Sequence, residues 1–111
     1  MNTATTTPSL QNIARDLLET APGLEVVTSV VELPANFRLP AHTHPGEEFA
    51  YVIEGSVRFW EQGVEEITLV AGEYGKVGKD VVHTVRTADE PAKLVVFRVH
   101  TVGAPERIPA E

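Results

Sequence analysis

Two of the four histidines of the chain, His42 and His44, are separated by a single threonine. On a β-strand, residues i and i+2 point to the same face, so both imidazoles are expected to project together. Two carboxylates, Glu47 and Glu48, follow a Pro-Gly turn that lets the chain fold back towards the same space. Much later, His83 follows a glycine-punctuated loop and begins another β-branched segment. These side chains are the candidates for chemistry.

Three neutral imidazoles and one carboxylate form a borderline ligand set. Such a set suits one divalent transition metal, namely Fe, Mn, Ni, Zn, Co or Cu. Calcium and magnesium prefer oxygen ligands, and the chain has no cysteine that could supply a thiolate. The sequence therefore favours a transition-metal site, and the metal's identity stays open.

Several alternatives remain open at these positions. The histidine pair by itself also fits two surface histidines on an exposed strand, and Glu47 competes with Glu48 for the carboxylate role. His100 has no partner at ligand spacing, which favours a place on the outer face or rim of the fold. Arg38 shares the parity of the histidine pair and is a candidate to hold a substrate carboxylate at the barrel mouth, or else a solvated rim residue.

The elements that must position these groups are short strands separated by Gly, Pro, Asn or Asp turns. They contain many β-branched residues, and the spacing is typical of an all-β antiparallel sandwich or barrel. Closure into a barrel or jelly roll also removes exposed strand edges. The predicted strands are 25–33, 37–44, 48–53, 57–60, 66–70, 74–77, 81–87 and 93–101.

The chain divides into three predicted segments. Residues 1–22 form an N-terminal tail with a short helix or turn, because the apolar residues of 11–19 recur about one helical turn apart. Residues 23–102 form a single barrel domain, and 103–111 form an irregular C-terminal tail. A chain of 111 residues has the usual size of one domain.

The composition excludes several classes of partner. A net charge of −7 repels phosphate backbones and anionic lipids, so neither nucleic acid nor membrane is expected as a partner. No segment approaches the roughly 20 apolar residues that cross a bilayer. The polar, threonine-rich start does not resemble a secretory signal, so a cytoplasmic location is expected.

The segment from Asn36 to Gly55 resembles the first motif of the cupin family. That motif reads G-x5-H-x-H-x3-4-E-x6-G, and this chain has N-FRLPA-HTH-PGE-E-FAYVIE-G. Asn36 replaces the opening glycine, and asparagine tolerates the left-handed backbone conformation better than most residues.

A second segment, from Gly72 to Thr87, resembles the other cupin motif, G-x5-P-x-G-x2-H-x3-N. Here the chain has G-EYGKV-G-K-D-VV-H-TVR-T, so the glycine and the histidine are in place. Gly78, Asp80 and Thr87 replace the proline, the second glycine and the asparagine, and none of these changes affects a ligand position.

The resemblance to cupins implies a fold, a metal site and a range of functions. The fold is a double-stranded β-helix, or jelly roll, whose metal ligands here correspond to His42, His44, Glu48 and His83. Four protein ligands on a six-coordinate metal leave two positions free for a small-molecule substrate. Such cupins include dioxygenases, isomerases and lyases, while a non-catalytic binding or sensing module is the alternative. Cupins commonly pair through sheet edges, so a homodimer through the strand 25–33 is expected.

Overall fold

The computed structural model describes residues 7–111 and contains ten β-strands within that range. The strands are Ser9–Leu17 (β1), Leu24–Leu33 (β2), His42–Thr43 (β3), Glu47–Glu54 (β4), Ser56–Glu61 (β5), Ile67–Val70 (β6), Tyr74–Val77 (β7), His83–Arg86 (β8), Ala92–Thr101 (β9) and Ile108–Pro109 (β10). No helix occurs in the described part of the chain, so the all-β prediction is confirmed.

Two antiparallel five-stranded sheets form the barrel. One has the order β1-β2-β9-β4-β7 and the other β10-β3-β8-β5-β6. The longest pairing joins β2 to β9 without a register shift, from Leu24 opposite Thr101 to Leu33 opposite Ala92. Long strands rich in Val, Thr and Leu favour this pairing because branched side chains pack well on a pleated surface.

The core lies between the two sheets and follows the alternation of the strands. Every second residue of β2 and of β9 is buried, as expected when one face of a sheet packs inward. The apolar members of this core are Val31, Leu33, Ala50, Val52, Val57, Phe59, Leu69, Val77, Ala92, Leu94 and Val96.

The predicted N-terminal helix is wrong, because Ser9–Leu17 is a strand paired antiparallel with β2. Ile13 is the extra residue of a bulge in this pairing. A helix with this apolar spacing would bury one face against the barrel. All nine residues of β1 are instead exposed, so no such face is buried. Backbone pairing with β2 therefore outweighs a weak local preference. The predicted flexible start, residues 1–6, lies outside the described residues.

The predicted dimer contact through the edge of β2 is also wrong. This strand lies between β1 and β9, so both of its edges are already paired. Among residues 7–111, the outer edge of β1 has no strand partner, and β7, β10 and β6 are the other edge strands of the two sheets.

The C-terminal residues, predicted as an irregular tail, include the short strand β10. Ile108 and Pro109 pair with Thr43 and His42, which places this segment against the histidine pair. The boundaries of the three predicted segments remain a prediction. In the described chain no helix is both long and apolar enough to cross a membrane.

Two backbone positions explain how the turns reach the site. Asn36 has a φ of 54°, so the residue that replaces the motif glycine does adopt the left-handed conformation. Gly46 lies between the histidine pair and Glu48, and a Cβ atom there would overlap the carbonyl oxygen of Val99. A glycine at this position therefore lets the turn between β3 and β4 lie directly against β9.

Candidate metal centre

Three strands bring the candidate ligands together at one end of the barrel interior. His42 in β3 is directly paired with His83 in β8. His44 follows at the end of β3, and the Gly46 turn leads into β4, where Glu48 is the second residue. Residues separated by about 40 positions in sequence therefore meet because β3 and β8 are neighbours.

The three imidazoles form a compact buried cluster. The ring centroids of His42 and His83 lie 4.4 Å apart, those of His42 and His44 4.8 Å, and those of His44 and His83 5.0 Å. One nitrogen of each ring lies within 4.8 Å of those of the others. All three residues are at most 4% exposed. The arrangement is one that could hold a metal ion.

Backbone carbonyl groups fix the tautomer of each ring. The Nδ1 atom of His42 lies 2.8 Å from the Pro40 oxygen, and that of His83 lies 2.9 Å from the Val81 oxygen. The Nδ1 atom of His44 lies 2.6 Å from the oxygen of Glu106. Because a carbonyl oxygen only accepts, each Nδ1 carries the proton and each Nε2 of a neutral ring carries a lone pair.

Glu48 completes this convergence of lone pairs. Its carboxylate oxygens lie 2.8 Å from His44 Nε2 and 3.2 Å from His83 Nε2. Both nitrogens are buried and neither has a hydrogen-bond partner with acceptable geometry among the described residues. Acceptors this close repel one another unless a cation lies between them, and a metal ion satisfies them together.

Glu47, the competing carboxylate, points elsewhere. Its side chain is 49% exposed and its Oε2 lies 2.7 Å from Lys76 Nζ. This placement follows from strand alternation, since neighbouring residues of β4 face opposite sides of the sheet. Among the two carboxylates, Glu48 alone contacts the histidines.

The protonation of the cluster follows from burial and charge. Burial raises the pKa of Glu48, but in the metal-free protein the positive charge of a protonated imidazole facing it outweighs that effect and holds the pKa well below its ordinary value. Burial lowers the pKa of His42 to about 4, even though its bond to the Pro40 carbonyl acts in the opposite direction. For His83, burial lowers the pKa, but the hydrogen bond and the negative charge of Glu48 raise it by a larger amount. The pKa of His83 is therefore above its ordinary value.

A cavity of about 260 Å³ opens beside the three histidines and Glu48. Ala50 and Val85 line it, whereas Val52 lies in the apolar core. Its apolar walls include Val31, Leu33, Leu39, Ala50, Val85, Leu94 and Val96. Binding sites are commonly apolar cavities with a few convergent polar groups, which is the arrangement here.

The family model of the cupin domain (Cupin_2) matches residues 29–98, which include every candidate ligand. The chain belongs to the cupin family. No curated protein matches the sequence.

Solved structures share this fold at low sequence identity. A protein with a double-stranded β-helix domain from Klebsiella pneumoniae has a TM-score of 0.75 at 17% identity, with 99% of this chain and 90% of that chain covered. An RmlC-like cupin from Methanocaldococcus jannaschii has a TM-score of 0.71 at 13% identity, covering 91% and 87%.

The DMSP lyase DddQ of Ruegeria pomeroyi has a TM-score of 0.72 at 23% identity. The alignment covers 89% of this chain and 52% of the lyase, so this chain spans about half of that protein's length. Likeness at such identities shows the double-stranded β-helix fold alone.

Arg38, predicted at the barrel mouth, does not line the cavity of this cupin. Its Nη1 atom lies 3.1 Å from both carboxylate oxygens of Glu111, and its side chain is 49% exposed. It borders a separate surface depression together with Arg58, Trp60, Glu66, Thr84 and Arg86. The prediction assumed that Arg38 lies on the same strand face as His42 and His44. It fails because residues 37–41 are not a continuous strand and make only one isolated bridge, from Arg38 to Arg86.

The prediction of an outer-face His100 is wrong as well. This histidine is 2% exposed, and its Nε2 atom lies 2.9 Å from the carboxylate of Glu25. Glu25 also bonds to the guanidinium of Arg15 in β1. His100 belongs to the inward face of β9, whose alternation buries Ala92, Leu94, Val96, Arg98 and His100.

Sequence reasoning missed three polar residues at the site. Arg98 and Arg107 line the cavity, and the carbonyl of Glu106 accepts from His44. The sequence pattern could have identified Arg98, because an arginine at an inward position of an alternating strand is unusual and indicates a functional role. The other two lie in the C-terminal segment, where no periodic pattern predicted a structural role.

Proposed function

We propose that this cupin binds one divalent transition metal through His42, His44, His83 and Glu48 and acts as an enzyme on a small organic molecule. The observation that carries the proposal is the convergence of two unpartnered, buried Nε2 atoms on the Glu48 carboxylate. Three imidazoles and a carboxylate suit Fe, Mn, Ni, Zn, Co or Cu.

A divalent metal bound there would supply Lewis-acid polarisation of a substrate oxygen. The chain's own residues hold the site ready for it. Hydrogen bonds from Nδ1 to backbone carbonyls fix the ring orientations, so the lone pairs face a common point before any ligand arrives. The largely apolar walls lower the local polarity, which strengthens the electrostatic interactions inside the cavity.

The class of reaction belongs among those that the fold supports, namely dioxygenase, isomerase or lyase chemistry. One structural neighbour is a DMSP lyase, which agrees with a lyase as one member of this range. One fold supports many reactions, so the fold does not select among them.

A non-catalytic binding or sensing module is the second candidate. The observation that favours it is the composition of the cavity wall. Apart from the candidate metal ligands, the polar residues that line the cavity among the described residues are Ser9, Arg98 and Arg107. None of these is an ordinary general acid or base at neutral pH, so acid–base chemistry would depend on the metal centre itself.

Elemental analysis of the purified protein tests the metal site. We expect about one equivalent of a transition metal in the wild type and none in the His44→Ala/His83→Ala variant. His100→Ala removes a buried histidine outside the cluster and serves as the control, which should keep its metal. A protein that stays empty after supplementation with each candidate metal would refute the metal site.

Turnover distinguishes the enzyme from the binding module. Small organic acids, esters and sugars incubated with the metal-loaded protein should yield a product whose formation stops in His42→Ala, with the fold confirmed by circular dichroism. Tight binding of a compound that is recovered unchanged would favour the binding module.

We also propose that the protein is a cytoplasmic homodimer that pairs through the free edge of β1. This edge strand exposes Leu10, Ile13 and Leu17. An unpaired, apolar edge strand is a template for pairing with a second chain. Light scattering should give twice the chain mass, and a proline at Ile13 should shift the protein to monomer.

A further inference from the structure

Arg98 is a buried cation placed directly beside the proposed metal centre. It lies on the inward face of β9, where the strand register places it opposite Glu48 of β4. Side chains directly opposite each other on neighbouring antiparallel strands have Cβ atoms about 5 Å apart. Arg98 is 3% exposed and lines the same cavity as the histidines.

The hydrogen bonds of this guanidinium are incomplete. Its Nη2 atom donates to Ser29 Oγ at 2.8 Å and to Asn12 Oδ1 at 3.2 Å, and lies 3.5 Å from a Glu106 carboxylate oxygen. The Nε atom is buried and has no partner among the described residues. A charged donor left unpaired in the interior is costly, which favours a ligand that accepts from it.

The charges around Arg98 balance one another before any metal is counted. Arg98 interacts with the carboxylates of Glu48 and Glu106 and with the guanidinium groups of Arg15 and Arg107, and Arg15 in turn pairs with the carboxylate of Glu25. Three of each cancel, and neutral histidine ligands add no charge. A bound divalent metal would therefore leave two positive charges uncompensated in a cavity of low polarity, which favours an anionic ligand.

We propose that the cavity takes a small aliphatic monocarboxylate, whose carboxylate is bound by Arg98 beside the metal centre. The inference rests on the proposed function, since the excess positive charge requires the metal. The aliphatic part packs against the apolar walls, and the volume of about 260 Å³ limits it to a short chain. Arg98 is thus a specificity-determining residue that selects carboxylates over uncharged isosteres.

Calorimetric titration of the zinc-loaded protein with butyrate and with butyramide tests this selection. Wild type should bind butyrate and discriminate against butyramide. Arg98→Met should bind butyrate about 10- to 100-fold more weakly, because a hydrogen bond to a charged group contributes about 1.5–3 kcal/mol. Glu106→Gln removes the nearest carboxylate and should tighten butyrate binding, while Arg98→Lys should retain part of the affinity.

The control is Arg86→Met, which removes an outer-face arginine that pairs with Glu66 and should not change butyrate binding. Zinc content is measured on every variant. Normal zinc uptake with equal butyrate affinity in wild type and Arg98→Met would overturn this inference alone. Failure of the wild type to take up any metal would overturn the proposed function and this inference with it. If Arg98→Met fails to fold, unchanged affinity in both Glu106→Gln and Arg98→Lys overturns the inference.

Discussion

The two ends of the barrel interior are built from the same strands but differ in chemistry. Along β9 the inward residues begin with Ala92 and Leu94 and end with Arg98 and His100. Along β2, which runs antiparallel to it, they begin with Glu25 and end with Leu33. Both ends are equally buried, so burial itself does not distinguish them.

The difference shows that stability and chemistry are separated along the barrel axis. At the apolar end, side chains need only fill space, and each contributes through area removed from water. At the polar end, every buried group needs a partner. Within residues 7–111, the groups left without one are the Nε2 atoms of His44 and His83, the Nε of Arg98 and the Nδ1 of His100. Three of these four unpartnered atoms belong to residues that line the cavity.

The largest effect is expected at the apolar end. Leu69→Ala should lower the free energy of unfolding by about 2–5 kcal/mol, because the cavity it leaves is enclosed by the core. Metal content should stay the same, since Leu69 does not line the cavity. Urea denaturation measures the change, and Leu17→Ala, at a position that is 73% exposed, is the matched control with a change of about 0.5 kcal/mol or less. Equal effects in the two variants would contradict the comparison.

At the polar end, removal of a partner should matter more than removal of volume. Glu25→Leu leaves His100 Nε2 without its acceptor and should cost about 1–3 kcal/mol in urea denaturation. The double variant Glu25→Leu/His100→Leu removes both polar groups and should recover much of that loss. A double variant that is less stable than the single one by a further similar amount would show that the two residues act independently.

The C-terminal segment should influence the metal site without belonging to its ligands. Deletion of residues 106–111 removes the carbonyl that accepts from His44 and the strand that pairs with β3. Metal affinity should fall about 10- to 100-fold, as for other groups that orient a metal ligand. Glu106→Gln keeps the backbone carbonyl and should retain wild-type affinity in a chelator competition assay. A deletion that leaves the affinity unchanged would refute this role.

The remaining expected effect is a pH dependence of the metal-free protein. The pKa of His42 is about 4 in the folded protein and 6.5 in the unfolded chain, so acid favours protonation of the unfolded chain. The stability that the neutral, buried His42 contributes to the folded protein is therefore complete above pH 6.5 and is lost as the pH falls towards 4. His42→Gln should show a flatter stability profile over this window, measured by urea denaturation after chelation. Parallel profiles for wild type and variant would contradict the pKa shift.

Much of the fold could be predicted from residue patterns. All eight predicted strand regions contain strand, although 37–44 is reduced to His42–Thr43, where Pro40 and the following turn limit pairing. The strand β1 was missed because its residues are exposed on both faces and show no alternation of burial. Its conformation depends on pairing with β2, which no local pattern reports.

The residues of the site also fall into a group that the sequence predicted and a group that it did not. The spacing of His42, His44 and His83 predicted a cluster that the structure assembles, and Glu48 rather than Glu47 contacts it. The direction of Arg38 was not predictable from parity because the backbone is irregular there. The inward direction of Arg98 could have been predicted from the alternation of residues along a strand, since β9 is regular throughout its length.

The sequence by itself determined the strand pattern, the family resemblance and the identity of the candidate ligands, because these depend on residue type and on spacing along one strand. Only the tertiary structure decided which groups surround the ligands. The Glu106 carbonyl reaches His44 across 62 positions, and Arg98 faces Glu48 across 50. Such contacts depend on sheet order and on where the C-terminal segment returns, and the energies that fix these belong to packing between distant elements rather than to any local pattern.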